Sequence, residues 1–190
     1  MKKLARRALA GLGVALAALL FAPAFASAAH AEDEPPTDAV VVTVPMTFDC
    51  STLTPSGRAY AIANNLDVCG VLSQDETEPG TITPYNTVYG DCGSASVSIS
   101  SYGSGKAYIW WEIESSTGPI ITYNTTLYYN GSNGSNSRGY SGWWPGNSAD
   151  DAAIPYLGAG WANAQLAGNV ETLLASCVIG NPSSSAYIYS

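Results

Sequence analysis

Histidine and positive charge are the scarcest things in this chain of 190 residues, which has one histidine and seven basic side chains. Four of the seven, Lys2, Lys3, Arg6 and Arg7, crowd the N-terminus, and the histidine is His30. An apolar run from Leu9 to about Phe25, broken by Pro23, follows the basic cluster, and the small-residue patterns Ala26-Ser27-Ala28 and Ala29-His30-Ala31 come next. That order predicts a secretory signal peptide over residues 1–31, cleaved after Ala28 or Ala31. The run approaches spanning length, but Pro23 and the small residues favour cleavage over a permanent anchor. With cleavage after Ala31, the exported chain has no histidine. Ser–His–Asp triads, Cys–His pairs and histidine-ligated zinc are then excluded.

The lack of cations excludes further partners. Beyond the leader only Arg58, Lys106 and Arg138 stand against 15 acidic residues, a formal net charge of −12. Such a surface repels phosphates, so neither nucleic acid nor an anionic membrane is an expected partner. No second apolar segment has spanning length. Phosphate-loop spacing is also missing: the stretch Gly103-Ser104-Gly105-Lys106 is too short and reads as a hairpin turn. No cofactor is called for.

What is present begins with four cysteines, Cys50, Cys69, Cys92 and Cys177. An even set in an exported chain predicts two disulfides, and the absence of a CxxC pair argues against zinc. Of the three connectivities, Cys50–Cys69 as a local staple and Cys92–Cys177 as a long-range one are favoured. The second would tie the middle strands to the last ones.

Residues 32–38 are acidic and proline-bearing and read as a flexible arm ahead of a single domain, 39–190. The β-branched run 39–48 reads as a strand. Residues 54–70 carry the one helical pattern, with Thr54 or Ser56 as cap, Pro55 in the first turn, and Ala59, Ile62, Ala63 and Leu66 at helical spacing. Residues 73–80 read as an acidic loop. From residue 81 the pattern is β: strands over 96–100, 106–114 and 120–129, joined as two successive hairpins. The Gly/Asn-rich stretch 130–139 reads as loop and 140–160 as irregular. Two strands flanking a turn at Ala167–Asn169 close the sheet, and the last ten residues suggest an edge strand. The expected fold is mainly β: an antiparallel β-sandwich or partly closed barrel with one short helix near the mature N-terminus.

The stretch 107–116 holds the densest candidate chemistry. Period-2 alternation puts Ala107, Ile109, Trp111 and Ile113 on one face and Tyr108, Trp110, Glu112 and Glu114 on the other. The apolar set should face the core, with Val97, Ile99, Tyr123 and Leu127 as neighbours. The other set forms a candidate ligand platform, Tyr108, Trp110 and Glu112, in which aromatic faces pack on sugar rings and a carboxylate bonds hydroxyls. Thr122, Asn124, Thr126 and Tyr128 are expected beside it on the next strand. Glu112 and Glu114 are also the candidate pair for carboxylate-based hydrolysis. Asp150 and Asp151 are candidate calcium ligands without EF-hand spacing. Trp143, Trp144 and Trp161 are expected as core or loop anchors.

These readings converge on an extracellular binding module. It would recognise an extracellular or cell-wall glycan, or a protein partner, without catalysis, through an aromatic-lined β surface. The alternatives are a glycosidase-like carboxylate hydrolase and a secreted inhibitor or structural envelope protein.

Overall fold

A computed structural model describes residues 39–72, 91–143 and 145–190. The leader, the acidic arm and the acidic loop at 73–80 lie outside these residues, as does Trp144.

The chain folds as an antiparallel sheet with one short helix. Its strands are β1 (Val40–Phe48), β2 (Asp91–Gly103), β3 (Lys106–Ser115), β4 (Ile120–Gly131), β5 (Gly134–Trp143), β6 (Ser148–Ala153), β7 (Gly160–Thr172), β8 (Ser176–Ile179) and β9 (Ser183–Ile188). The spatial order is β5-β4-β7-β8-β1-β2-β3-β6, with β9 paired to the first half of β7. The sheet curls into a half-barrel, in agreement with the partly closed barrel expected. The curl shows at Trp111: this β3 side chain lies 6.0 Å from the ring of Tyr123 on β4 and 5.0 Å from Tyr140 on β5, strands from the far end of the sheet.

The inner face is the core. Ala107, Ile109, Trp111 and Ile113 are fully buried, as are Val97, Ile99 and Leu127, so the alternation places each side chain of β3 correctly. Tyr123 is half-buried and packs against them. The β2–β3 turn is a two-residue loop, Ser104-Gly105, with φ of 53° and 72°; two positive φ values match the right-handed twist of the flanking strands.

The helix α1 spans Pro55–Ala63, capped by the Thr54 hydroxyl, which accepts from Gly57 N at 2.9 Å. It stops short of the expected residue 70 because Asn65 turns left-handed, with φ of 53°. Gly57 packs the helix directly on the backbone after β7: a Cβ there would meet Leu174 O at 2.4 Å.

Three expectations are corrected. The second hairpin does not form, because β3 pairs with β6 and β4 pairs with β5 and β7. Residues 130–139 are not a loop but the tip of a long β4–β5 hairpin, in register from Thr122↔Trp143 to Gly131↔Gly134. Its Ser, Asn and Gly side chains lack β propensity, yet the backbone ladder holds them at an edge where only Tyr140 is buried. No turn occurs at Ala167–Asn169. Gly168 lies inside β7, where β4 passes so close that a Cβ would meet Asn124 O at 2.2 Å. The reversal comes after Thr172, whose N–H donates to Ala175 O at 3.2 Å.

Two disulfides form, Cys50–Cys69 and Cys92–Cys177, with the connectivity expected. The first ties the start of the helical segment to its end. The second joins β2 to β8, the two strands that flank β1. Among the described residues no helix is long and apolar enough to cross a membrane.

Candidate functional site

Strand β3 presents Tyr108, Trp110 and Glu112 half-buried and Glu114 exposed on the outer face, as the alternation predicts. Their neighbours differ from those expected. On one side stand the serines of β2, in register as Ser100↔Tyr108, Ser98↔Trp110, Ser96↔Glu112 and Ser94↔Glu114. On the other stand Asp150, opposite Glu112, and Ser148, opposite Glu114. Thr122, Asn124, Thr126 and Tyr128 are not beside them, since β4 lies at the other end of the sheet. Glu114 borders a shallow cleft of about 400 Å³ with Thr43, Pro45, Gly93, Ser94 and Ser116.

The candidate calcium ligands are divided between two faces. Asp150 is exposed on the outer face, whereas Asp151 pairs in register with the inward-facing Trp111 and accepts from Ala152 N at 2.7 Å. The field of Asp151 reaches the inner tyrosines. Burial raises the Tyr123 phenol above its ordinary value of 10.0, and Asp151 and Asp150 raise it further. Tyr140 is raised by burial too. Arg138, 5.0 Å from its ring centre, offsets part of this, and Asp151 adds to it. The Trp111 indole N–H also favours the Tyr140 phenolate, but neither group completes a hydrogen bond. Among the described residues, no group of three or more His, Cys, Asp or Glu is placed to hold a metal ion.

The strongest constellation lies where β9 runs past the beginning of β1 and the end of β2. Trp161 on β7 and Tyr187 on β9 are register partners on the outer face, with ring centres 6.0 Å apart and planes at 90°. Tyr189 continues the row, 5.4 Å from Tyr187. These rings are unusually open: Trp161 is 70 % exposed, Tyr189 64 % and Tyr187 47 %. They border a cleft of about 270 Å³ that also touches Val40, Ser100 and Ser101. Ser101 Oγ accepts from Tyr189 N at 3.0 Å, and Gly105 N donates to Tyr189 O at 2.8 Å, which fixes the end of the row against the β2–β3 turn. Ser184 Oγ donates to Val40 O at 2.8 Å and fixes its other side.

Ser100 lines this cleft with only 6 % of its surface exposed, and its Oγ, shielded from solvent, has no hydrogen-bond partner among the described residues. Tyr108 stands in register with Ser100, so one member of the sequence-derived platform adjoins the cleft. Trp161, expected as an anchor, is an exposed wall of it, and Trp143 is exposed as well. The signal that marks these residues is the alternation on the last two long strands: Trp161, Asn163 and Gln165 on one, and Ser183, Ser185, Tyr187 and Tyr189 on the other.

The fold and cleft define a disulfide-linked antiparallel half-barrel with an uncharged aromatic cleft on its outer face. Compared with protein-family models, curated proteins and solved structures, the chain matches none.

Proposed function

We propose that this protein is an exported, non-catalytic module that binds an extracellular or cell-wall glycan in the cleft bordered by Trp161, Tyr187 and Tyr189. The observation that carries this reading is the row of exposed rings, Trp161, Tyr187 and Tyr189, bordering one cleft. A pyranose presents a C–H face that packs on an aromatic ring and hydroxyls that both donate and accept. The exposed Tyr187 and Tyr189 hydroxyls can donate to and accept from such groups. The leader-like N-terminus and the two disulfides support export.

The test is retention of the exported protein on insoluble cellulose, chitin, mannan and peptidoglycan. Wild type should be retained by at least one of them, and Trp161→Ala should release it with the melting temperature unchanged. Failure of all four to retain wild type removes the glycan reading.

A hydrolase reading has one observation in its favour: Glu112 and Asp150 are cross-strand neighbours, and Glu114 beside them borders the 400 Å³ cleft. Such an enzyme would release reducing sugar from one of the same polysaccharides, and Glu112→Gln or Glu114→Gln would abolish the release. Full activity in both variants would remove those carboxylates from the chemistry.

A further inference from the structure

The outer face beyond the aromatic cleft is a grid of uncharged polar side chains. Asn130 on β4, Asn163 on β7 and Ser185 on β9 form one register row. They are joined by a relay: Ser185 Oγ donates to Asn163 Oδ1 at 2.5 Å, and Asn163 Nδ2 donates to Asn130 Oδ1 at 3.1 Å. The next row along β7 is Tyr128, Gln165 and Ser183. Both rows border a second cleft of about 340 Å³, which holds no charged side chain among the described residues. Neither does the aromatic cleft. In a chain with 15 acidic residues, two adjoining clefts without charge point to a ligand without charge.

The rows are evenly spaced. Trp161, Asn163 and Gln165 alternate along β7, so successive rows are roughly 6.5–7 Å apart. That step is somewhat longer than one pyranose residue, so neighbouring rows can meet neighbouring sugars but not in strict register. The aromatic row can take a pyranose face, while the relay presents amide donors and acceptors already fixed in direction, which lowers the ordering cost of binding.

Resting on the glycan reading above, we infer that the ligand is a neutral oligosaccharide of at least two residues laid along β7. One residue packs on Trp161 and Tyr187 beside Ser100, and the next is read by Asn163 and Asn130, with Gln165 and Tyr128 beyond. An anionic glycan is disfavoured, because among the described residues no cation lines either cleft to pair with it.

The experiment is calorimetric titration of the exported protein with glucose, cellobiose and cellotetraose, with their N-acetylglucosamine counterparts, and with polygalacturonate as the charged chain. In the series that binds, affinity should rise about tenfold or more from one residue to four, the gain of one or two well-made hydrogen-bonded contacts. Asn163→Ala and, independently of the relay, Gln165→Ala should flatten that rise, lowering tetrasaccharide affinity more than monosaccharide affinity. Trp161→Ala should weaken every length equally. Affinity independent of length, a rise that survives both Asn163→Ala and Gln165→Ala, or equal affinity for polygalacturonate would each overturn the extended neutral site while leaving a glycan cleft in place. Failure of every probe here and of every polysaccharide in the retention test removes the glycan reading itself.

Discussion

Trp111 is fully buried, whereas Trp110, one position earlier, stays half-buried on the outer face. Truncation should therefore separate them. Trp111→Ala removes the ring that bridges β3 to Tyr123 and Tyr140, and should cost about 3–5 kcal/mol. Trp110→Ala should cost much less. Equal losses in urea melts would contradict the face assignment. Tyr140 carries a second prediction at this scale. Its buried hydroxyl has no hydrogen-bond partner among the described residues, so Tyr140→Phe should be neutral or stabilise by up to about 1 kcal/mol at pH 7. The raised phenol pKa values of Tyr123 and Tyr140 set the sign of the alkaline response. The folded state holds these protons more tightly, so their contribution is full below pH 10 and is lost as pH rises from the unfolded value of about 10 through the folded one. Tyr140→Phe should make the fall in stability above pH 10 shallower. A loss of more than about 1 kcal/mol at pH 7, or an unchanged alkaline slope, would show that the hydroxyl has a different environment.

Strands legible in the sequence are those whose side chains carry the fold. Strand β3 shows its two faces because one is apolar and fully buried, and β1 shows itself through β-branched residues. Strand β5 is invisible because Ser, Asn and Gly fill it and the β4 backbone holds it. Gly168 misleads because a glycine required for close approach looks the same in sequence as one required for a turn. The candidate site follows the same division. Tyr108 and Trp110 were legible, but the row Trp161, Tyr187 and Tyr189 emerges only when β9 lies along β7, a pairing that no local pattern encodes. The disulfides were legible because an even cysteine count without a CxxC pair restricts them. They differ in loop length, with sequence separations of 19 and 85 residues. In the chain-entropy picture that ratio favours the Cys92–Cys177 bond by about 1.3 kcal/mol. Replacing Cys92 and Cys177 together by serine should destabilise more than replacing Cys50 and Cys69 together. The buried site of the first pair adds to the difference, since both residues are 0 % exposed and a serine hydroxyl there is desolvated. Reversed order in urea melts would mean that docking of α1 carries more stability than the sheet closure does.

The topology decides how the whole chain reaches this state. Neighbours in the sheet are often distant in sequence: β1 pairs with β8 at Met46↔Ile179, a separation of about 130 residues. Closing so long a loop costs entropy before any contact offsets it, and chains dominated by such pairings fold in about milliseconds to seconds. The Cys92–Cys177 bond changes that cost. With the Cys50–Cys69 bond alone the path from Met46 to Ile179 is about 115 residues; with both bonds it shortens to about 30, running from Met46 to Cys50, across to Cys69, on to Cys92 and across to Cys177. The closure probability scales as the −3/2 power of loop length, so the fully bonded chain should meet its β1–β8 partner roughly sevenfold more often. Rapid dilution of urea-unfolded, disulfide-intact protein should therefore give a main refolding phase several-fold faster than that of the Cys92→Ser, Cys177→Ser chain, read by fluorescence of the Trp111 cluster. If the two rates agree, β1–β8 pairing follows the rate-limiting step. The transition state is then built from the local β2–β3 and β4–β5 hairpins, and β1 joins a sheet that has already formed.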